Sequence, residues 1–525
     1  MTRADSSSLT RRGLLGAGAA LAATAVLPSG ASAQAPKFRR WEITDPAMPP
    51  RVLASYKAGI AKMLSLPPSD PRNWYRNALV HIFDCPHGNW WFLAWHRAYL
   101  GWLETTLRDL SGDAEFALPY WDWTKTPRVP APMFDGVLDP NSSGFIPTFD
   151  EFRTQFAPVI STMYGAFSQD QLATLNERGV GTPNDLMSTL QDAFFDQPNA
   201  RGLTATNPDL DSDTRAAVSV RTIRSALRAT LFAGGGGPHD PAGFASAMSS
   251  DHNGSSTKGI LESQPHDNVH GAMGGGGPAF MVAFYSPVDP IFFLHHGNLD
   301  RLWDVWTRRQ TALGRPALPQ GADLDTWSKE QFRFFTDAQS QPVTQTMAGS
   351  YATPKPFDYD YSPGTGEDQV PAAGPAVAAA TPQVFSGPVV SQQIGVAKAA
   401  GGTVRVPAPS LQAAAANAGP RVAEITLNLS RQDVGRRFRV LVSPSPGTAP
   451  VSAGAITIFG HPHHGPVTFT VPLPDNLAAA GATGEIPLDI RVVPIGNPMQ
   501  ATQAGLTASA AAAAPLVSAI KVRSD

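Results

Sequence analysis

Cysteine is almost missing from this chain: Cys85 is the only one in 525 residues, so no disulfide can form within it. Charge of either sign is also not in excess. Lys+Arg number 40 and Asp+Glu 43, which gives no case for nucleic acid or an anionic membrane as partner. Long apolar runs are lacking too; the stretch ending at Leu27 is too short for a membrane span. The glycine runs Gly234–Gly237 and Gly274–Gly277 are not followed by Lys-Ser or Lys-Thr, so neither reads as a phosphate cradle.

What is present begins with Thr10-Arg11-Arg12-Gly13-Leu14-Leu15, a twin-arginine pattern. A small-residue apolar stretch follows, then Ala31-Ser32-Ala33, an A-x-A cleavage site. Residues 1–33 are therefore expected to be a twin-arginine signal peptide. The mature protein is expected in the periplasm or outside the cell, with no membrane contact. That export route carries folded proteins, often with a cofactor already inserted.

The remaining chain divides by period. Val52 to Leu66 has its apolar residues near one face and ends at Pro67-Pro68, so it is predicted helical. Asp70-Pro71 is the predicted start of a second helix running towards His81. A third is predicted over about 90–108, and others over Asp150–Phe156, Asp185–Phe195 and Asp213–Phe232. Residues 362–420 are rich in Ala, Pro and Gly and read as a linker. From 421 the period becomes two, as in Ile425, Leu427, Leu429 and in Ile486, Leu488, Ile490, Val492. The expected fold is mainly α: a helix-bundle domain over 34–361, then a small β-sandwich-like domain over 421–525.

Twelve histidines are present, and seven fall in two clusters. His266 and His270 are four apart, so on a helix they share a face. A third imidazole from His295 or His296 would complete a three-nitrogen metal site with a position left open. Upstream, His87 and His96 are nine apart and would lie on opposite sides of one helix; Pro86 and Gly88 place His87 in a loop before it. His81 supplies the third imidazole there. All-nitrogen sites suit copper, zinc, iron or nickel. The zinc-protease pattern needs Glu after the first histidine, whereas Asp267 and Asn268 follow His266. Two three-histidine sites facing each other suit a metal pair that bridges a small ligand. Copper fits best, because a pair can share the two-electron reduction of O2.

The segments CPHGNWWFLAWHRAYL, LPYWDW, PHDNVH and DPIFFLHHGNLDRLW resemble the type 3 copper proteins, which comprise tyrosinases, catechol oxidases and haemocyanins. The resemblance spans roughly residues 38–361 and points most to exported bacterial tyrosinases and polyphenol oxidases. More weakly, the β domain resembles the C-terminal domain of the longer polyphenol oxidases. The resemblance implies one copper on His81, His87 and His96, and another on His266, His270 and His296. Periodicity leaves His295 and His296 open; the family pattern favours His296 and puts His295 beside the site. It also implies a thioether between Cys85 and His87, and a structural acid–base pair in Asp300 and Arg301, with Asp300 expected beside His296.

Glu262 resembles the family glutamate that holds a water near the second copper, proposed to help deprotonate phenols. Asp267 stands where many tyrosinases have Asn, and a carboxylate there is the stronger acceptor. Phe280, Met281 and Phe284 occupy the region where the family places a gate over the first copper. Tyr361 belongs to a Tyr-x-Tyr mark that stacks on an N-terminal arginine, here Arg39 or Arg40. His461, His463 and His464 read as a solvated loop or a copper-delivery site, and neighbouring Phe459 as a candidate plug. The implied function is a dicopper oxidase that uses O2 to turn phenols, catechols or both into o-quinones. The alternatives are a catechol oxidase without hydroxylation and a haemocyanin-like oxygen-binding protein.

Overall fold

The computed structural model describes residues 35–525 apart from 235–241, 250–255, 379–380, 389–391, 395–398, 413–418, 431–432, 445–447, 460–464, 476, 480–481 and 496–514. Residues 1–33, read from the sequence as a signal peptide, and the histidines at 461, 463 and 464 lie outside the described residues. The helices of the first part are α1 Pro50–Ser65, α2 Trp74–Asp84, α3 Phe92–Ser111, α4 Phe149–Ala166, α5 Gln169–Glu177, α6 Pro183–Ala193, α7 Ser212–Ala217, α8 Val220–Leu227, α9 Asp267–Ala272, α10 Ile291–Ala312 and α11 Ala322–Lys329. The strands are β1 Phe38–Arg40, β2 Tyr359–Tyr361, β3 Gln383–Ser386, β4 Gln392–Gln393, β5 Ala400–Pro407, β6 Arg421–Leu429, β7 Arg437–Ser443, β8 Val451–Thr457, β9 Gly465–Pro472, β10 Glu485–Pro494 and β11 Leu516–Ser524.

Helix α1 starts on a first-turn proline, whose missing N–H has no helical role there, and buries Val52, Tyr56, Ile60 and Met63. Helix α2 starts later than Asp70-Pro71 suggests. Its cap is Asn73, whose side chain accepts from Tyr75 and Arg76 N–H, while Asp70 closes a turn onto the Arg72 N–H. The helix expected over Asp213–Phe232 is two: Ser219 caps α8 and interrupts the run after α7. α3 and α10 are buried along most of their length, as central helices of a bundle must be.

The β region starts earlier than period alone indicates. β3, β4 and β5 fall inside the stretch read as a linker, and β5 pairs with β10 through eight residues. Val404 and Val406 point inward there, but the glycines and prolines around them hide the alternation. One sheet runs β5-β10-β7-β8; the other runs β3-β11-β6-β9, with β4 also on β11. Their inner faces share a core that includes Val404, Ile425, Val440, Phe469 and Ile490, as in a sandwich. The helical part has its own larger core, yet Lys37–Asp525 forms one compact unit.

The two parts are joined where it matters. Thr257 forms a parallel bridge with Thr468 of β9, and the Lys258 N–H donates to the Thr468 carbonyl at 2.8 Å. Ser263 donates to the Thr470 carbonyl, and Gln264 and Asn268 both donate to that of Ala455. Gly271 lets α9 approach β8 closely, since a Cβ there would lie 2.5 Å from a Thr457 methyl.

Candidate metal centre

Five helical pieces and one loop carry the histidines. His81 lies near the end of α2, His87 in the loop after it, and His96 in α3. His266 ends a π-helical turn, Glu262–His266; His270 is on α9, and His295 and His296 are on α10. Pro265 within that turn has no N–H to give, so a widened turn suits it. Ligand atoms of His81, Cys85, His87 and His96 all lie within 4.8 Å of one another, as do those of His266, His270, His295 and His296. The groups face each other: the rings of His96 and His296 stack at 4.1 Å, and those of His87 and His266 are 5.2 Å apart.

Hydrogen bonds set the tautomers. Nδ1–H of His81, His96 and His270 donates to the carbonyls of Phe284, Phe92 and Met281 at 2.8, 2.8 and 2.6 Å. Nδ1–H of His266 donates to Asp267 Oδ1 at 2.8 Å. These partners only accept, so each Nε2 keeps its lone pair. Nε2 of His81 and of His266 has no hydrogen-bond partner among the described residues, and Nε2 of His270 faces Nε2 of His296 at 3.3 Å. Burial, above all, holds the imidazoles neutral: the pKa values of His96 and His270 are pushed down to about 3, and those of His81, His87, His266 and His296 lie well below the ordinary value. Neutral imidazoles with convergent, unsatisfied lone pairs are what a metal ion requires, and the donor set fits two coppers. His295 differs. Trp123 Nε1–H donates to its Nδ1 at 3.1 Å, which puts its proton on Nε2. This favours His296 as the third nitrogen of that group.

Cys85 Sγ lies 3.4 Å from His87 Nδ1 and 3.8 Å from His87 Nε2, and also 3.4 Å from His96 Nε2. Burial pushes the thiol pKa well up. Between the two groups, Glu262 accepts from the Gly88 N–H at 2.6 Å and from Ser246 Oγ at 2.5 Å. It thereby ties the His87 loop to the π turn that leads into His266. Asp267 holds the His266 ring on one oxygen and Lys258 Nζ on the other, at 2.7 Å. Burial pushes the Asp267 carboxyl up to about 7 and raises that of Glu262, with Lys258 opposing both. Burial works against the charge on Lys258, but Asp267 and Glu262 outweigh it.

Residues 60–309 match the family profile described as the common central domain of tyrosinase. The matched residues form a tyrosinase-type central domain, which supports the type 3 copper protein family. Over 318 residues the chain is 29% identical to (+)-larreatricin hydroxylase of Larrea tridentata, covering 56% of this chain and 44% of that protein. With polyphenol oxidase of Spinacia oleracea the identity is 28% over 331 residues, 59% of this chain and 44% of that one. A tyrosinase of Hahella sp. (strain CCB-MM4) is 26% identical over 348 residues, 59% of this chain and 60% of its own. The chain thus spans roughly half the length of these curated relatives. The fold is shared with latent aurone synthase (TM-score 0.57, 19% identity, 93% of this chain and 89% of that) and latent apple tyrosinase (TM-score 0.54, 18% identity, 94% and 98%).

Around this type 3 site, some expected neighbours are elsewhere. Asp300 does not bond to His296; it accepts from Arg97 Nε at 2.6 Å, Arg40 Nη1 at 3.3 Å, Tyr361 Oη at 2.5 Å, and also from Tyr359 Oη. One helical turn from His296 its side chain leans towards α3 instead, where two guanidiniums satisfy its charge. Arg301 is not its partner, but donates to Asn298 Oδ1 and the Thr365 carbonyl. Arg40, not Arg39, is the arginine at the Tyr-x-Tyr mark. It stacks on Tyr359 at 3.6 Å and donates to Tyr361 Oη, in register with the β1–β2 pair.

Of the three gate candidates, only Phe284 presents its ring to the histidines, 4.9 Å from both His81 and His87. The Phe280 ring packs on Phe194 and Phe195 in the core, and Met281 serves through its carbonyl. Phe459, from the β part, stacks on His270 at 3.8 Å and 27°, with His266 and His87 at 5.3 and 5.4 Å. The sequence reading missed Lys258, Ser246, Arg97 and Trp123. Only Lys258 left a trace, an i, i+4 spacing to Glu262.

Proposed function

We propose that this chain is an exported copper oxidase that uses O2 to convert phenols, catechols or both to o-quinones. The observation that carries the reading is the pair of facing histidine groups, whose ring nitrogens converge as buried lone pairs. His81, His87 and His96 would hold one copper, and His266, His270 and His296 the other; when bound, the pair supplies O2 activation and two-electron exchange. The chain itself does the rest. Backbone carbonyls fix the ring orientations, and Phe284 walls the pocket above His81 and His87. Glu262 and Asp267 would be the carboxylates that assist removal of the phenol proton, Asp267 while it holds the His266 ring and Lys258. The names of the curated relatives, a tyrosinase and a polyphenol oxidase, support the substrate class. The test is copper content with initial rates on a monophenol and its matching catechol, after mild proteolysis of the β part. Two coppers and catechol turnover are expected; zinc with no turnover sinks the reading.

Cys85 would join the His87 ring as a thioether, a C–S bond replacing the thiol S–H and one ring C–H while the two electrons and two protons pass to O2, and residues 1–33 would be removed on twin-arginine export. Both are read from one measurement. The intact mass of the exported chain is expected to correspond to a start at Gln34, less two hydrogens.

Phe459 would keep the enzyme latent by occupying the substrate's place, with the β part as cover. Among the described residues no helix is long and apolar enough to cross a membrane. The cover is held partly by charge. Arg437 pairs with Asp211 at 2.9 Å and Arg439 with Asp213 at 2.6 Å. Burial opposes the Asp211 charge, but Arg437 and the Thr214 donors outweigh it and hold that carboxyl below its ordinary 3.8. A depressed carboxylate contributes stability above its unfolded pKa and loses it as pH falls through the folded one. The latch is therefore expected to weaken below about pH 4. Limited proteolysis between the two parts should be faster at pH 3 than at pH 6, and Arg437→Ala should make pH 6 behave more like pH 3.

A further inference from the structure

Lys258 is a buried lysine beside a metal site that nothing in the oxidase chemistry calls for. Its Nζ lies 2.7 Å from Asp267 Oδ2 and 3.7 Å from Glu262 Oε1, and the side chain is about 1% exposed. Asp267 Oδ1 is the acceptor of the His266 Nδ1–H at 2.8 Å. The carboxylate is thus pinned at one oxygen so that the other meets the imidazole edge. Lys258 is itself pinned by the β part: its N–H donates to the Thr468 carbonyl, Thr468 N–H donates to the Ser256 carbonyl at 3.2 Å, and Nζ lies 5.6 Å from the Phe469 ring.

We infer that Lys258 is a positioning residue through which strand β9 sets the orientation of His266, and with it the second metal site. A carboxylate with no cation is a poor tenant in this interior; it would turn towards whatever donor remained and leave the His266 ring free to rotate. The ammonium removes that freedom by satisfying the outer oxygen. The cover therefore does more than block entry, because its edge strand fixes the backbone from which Lys258 reaches. The inference rests on the reading of the second histidine group as a metal site.

The test is Cu(I) binding to the full-length, metal-free chain, followed by competition with a colorimetric Cu(I) chelator. The parent is expected to take up two ions. Lys258→Met should weaken one of the two by about 10- to 100-fold, the usual size of an outer-sphere loss. The decisive variant is Lys258→Met with Asp267→Asn. An amide oxygen still accepts the His266 N–H and needs no cation, so the double variant should bind both ions within about threefold of the parent, a change well under the kcal scale of a lost partner. A lysine that merely filled space would not be rescued in this way. Two undisturbed ions in the single variant overturn the inference, as does a double variant no better than the single. Should the single variant not fold, the double variant alone decides, since it must bind two ions. A parent that binds no copper overturns the reading of the site itself and this inference with it.

Discussion

Replacing Asp300 with alanine is expected to destabilise the chain by about 3–5 kcal/mol, the usual consequence of removing one partner from a buried charge network. Asp300 is almost wholly buried and accepts from Arg40, Arg97, Tyr359 and Tyr361. Burial opposes its charge, but Arg97 and Arg40 outweigh it and hold the carboxyl below the ordinary value. Its removal strands two guanidiniums unevenly. Arg40 keeps Glu104 at 2.8 Å, whereas Arg97 keeps only the carbonyls of Tyr351 and Ala352 and the face of Trp303. The loss also reaches the site, since Arg97 follows His96 on α3 and Asp300 lies one turn past His296 on α10. Asp300→Asn should lose less, because an amide oxygen still accepts from the tyrosines. Urea unfolding of the metal-free chain at neutral pH measures both. A loss below about 1 kcal/mol for Asp300→Ala would mean that the arginines find new partners, and would remove Asp300 as the clamp between the two ligand helices.

The same cluster shows what a sequence can and cannot disclose. His266 and His270 were legible because a helix converts a spacing of four into a shared face. His87 was legible as a loop residue because nine residues of helix cannot bring it to the side of His96. The choice between His295 and His296 was not, because both lie on one buried helix and neither is excluded by an exposed face. It turns on the indole N–H of Trp123, 172 residues away. Lys258 was hidden for a like reason: its pairing with Asp267 depends on a backbone bridge to β9, a contact across more than two hundred residues. Asp300 was placed beside His296 by counting turns, but rotamer direction and two distant arginines took it towards α3. In the β region, period two was clear where strands are long. It failed over 383–407, where β3 and β4 are short and the eight-residue β5 carries two glycines and a closing proline, so burial rather than alternation identifies them.

Phe459→Ala is expected to raise catechol oxidation by the intact, uncleaved chain at least about tenfold. The ring sits on His270 at 3.8 Å and 27°, close to parallel, and 6.0 Å from Phe284, with which it stacks at 15°. That is the seat an aromatic substrate would take, between the second histidine group and the wall of the first. Truncating a buried phenylalanine costs about 3–5 kcal/mol of packing. The cost falls on the closed arrangement, because an open cover leaves residue 459 hydrated in both proteins. Every 1.4 kcal/mol is a factor of ten in an equilibrium constant, so even half of the lower figure shifts the closed population tenfold towards open. The rest of the interface, with Arg221 on the Ala453 and Pro472 carbonyls and Asn268 bonded to Thr457, still holds the cover on. The variant should therefore be partly active before cleavage and gain further activity on proteolysis. After proteolysis, parent and variant should converge on one rate, since the ring has no part in the open site. An intact-chain rate equal to the parent's, with normal activation on cleavage, would assign the block to the backbone of the cover and not to the Phe459 ring. A cleaved variant slower than the cleaved parent would mean instead that Phe459 supports the histidines it covers.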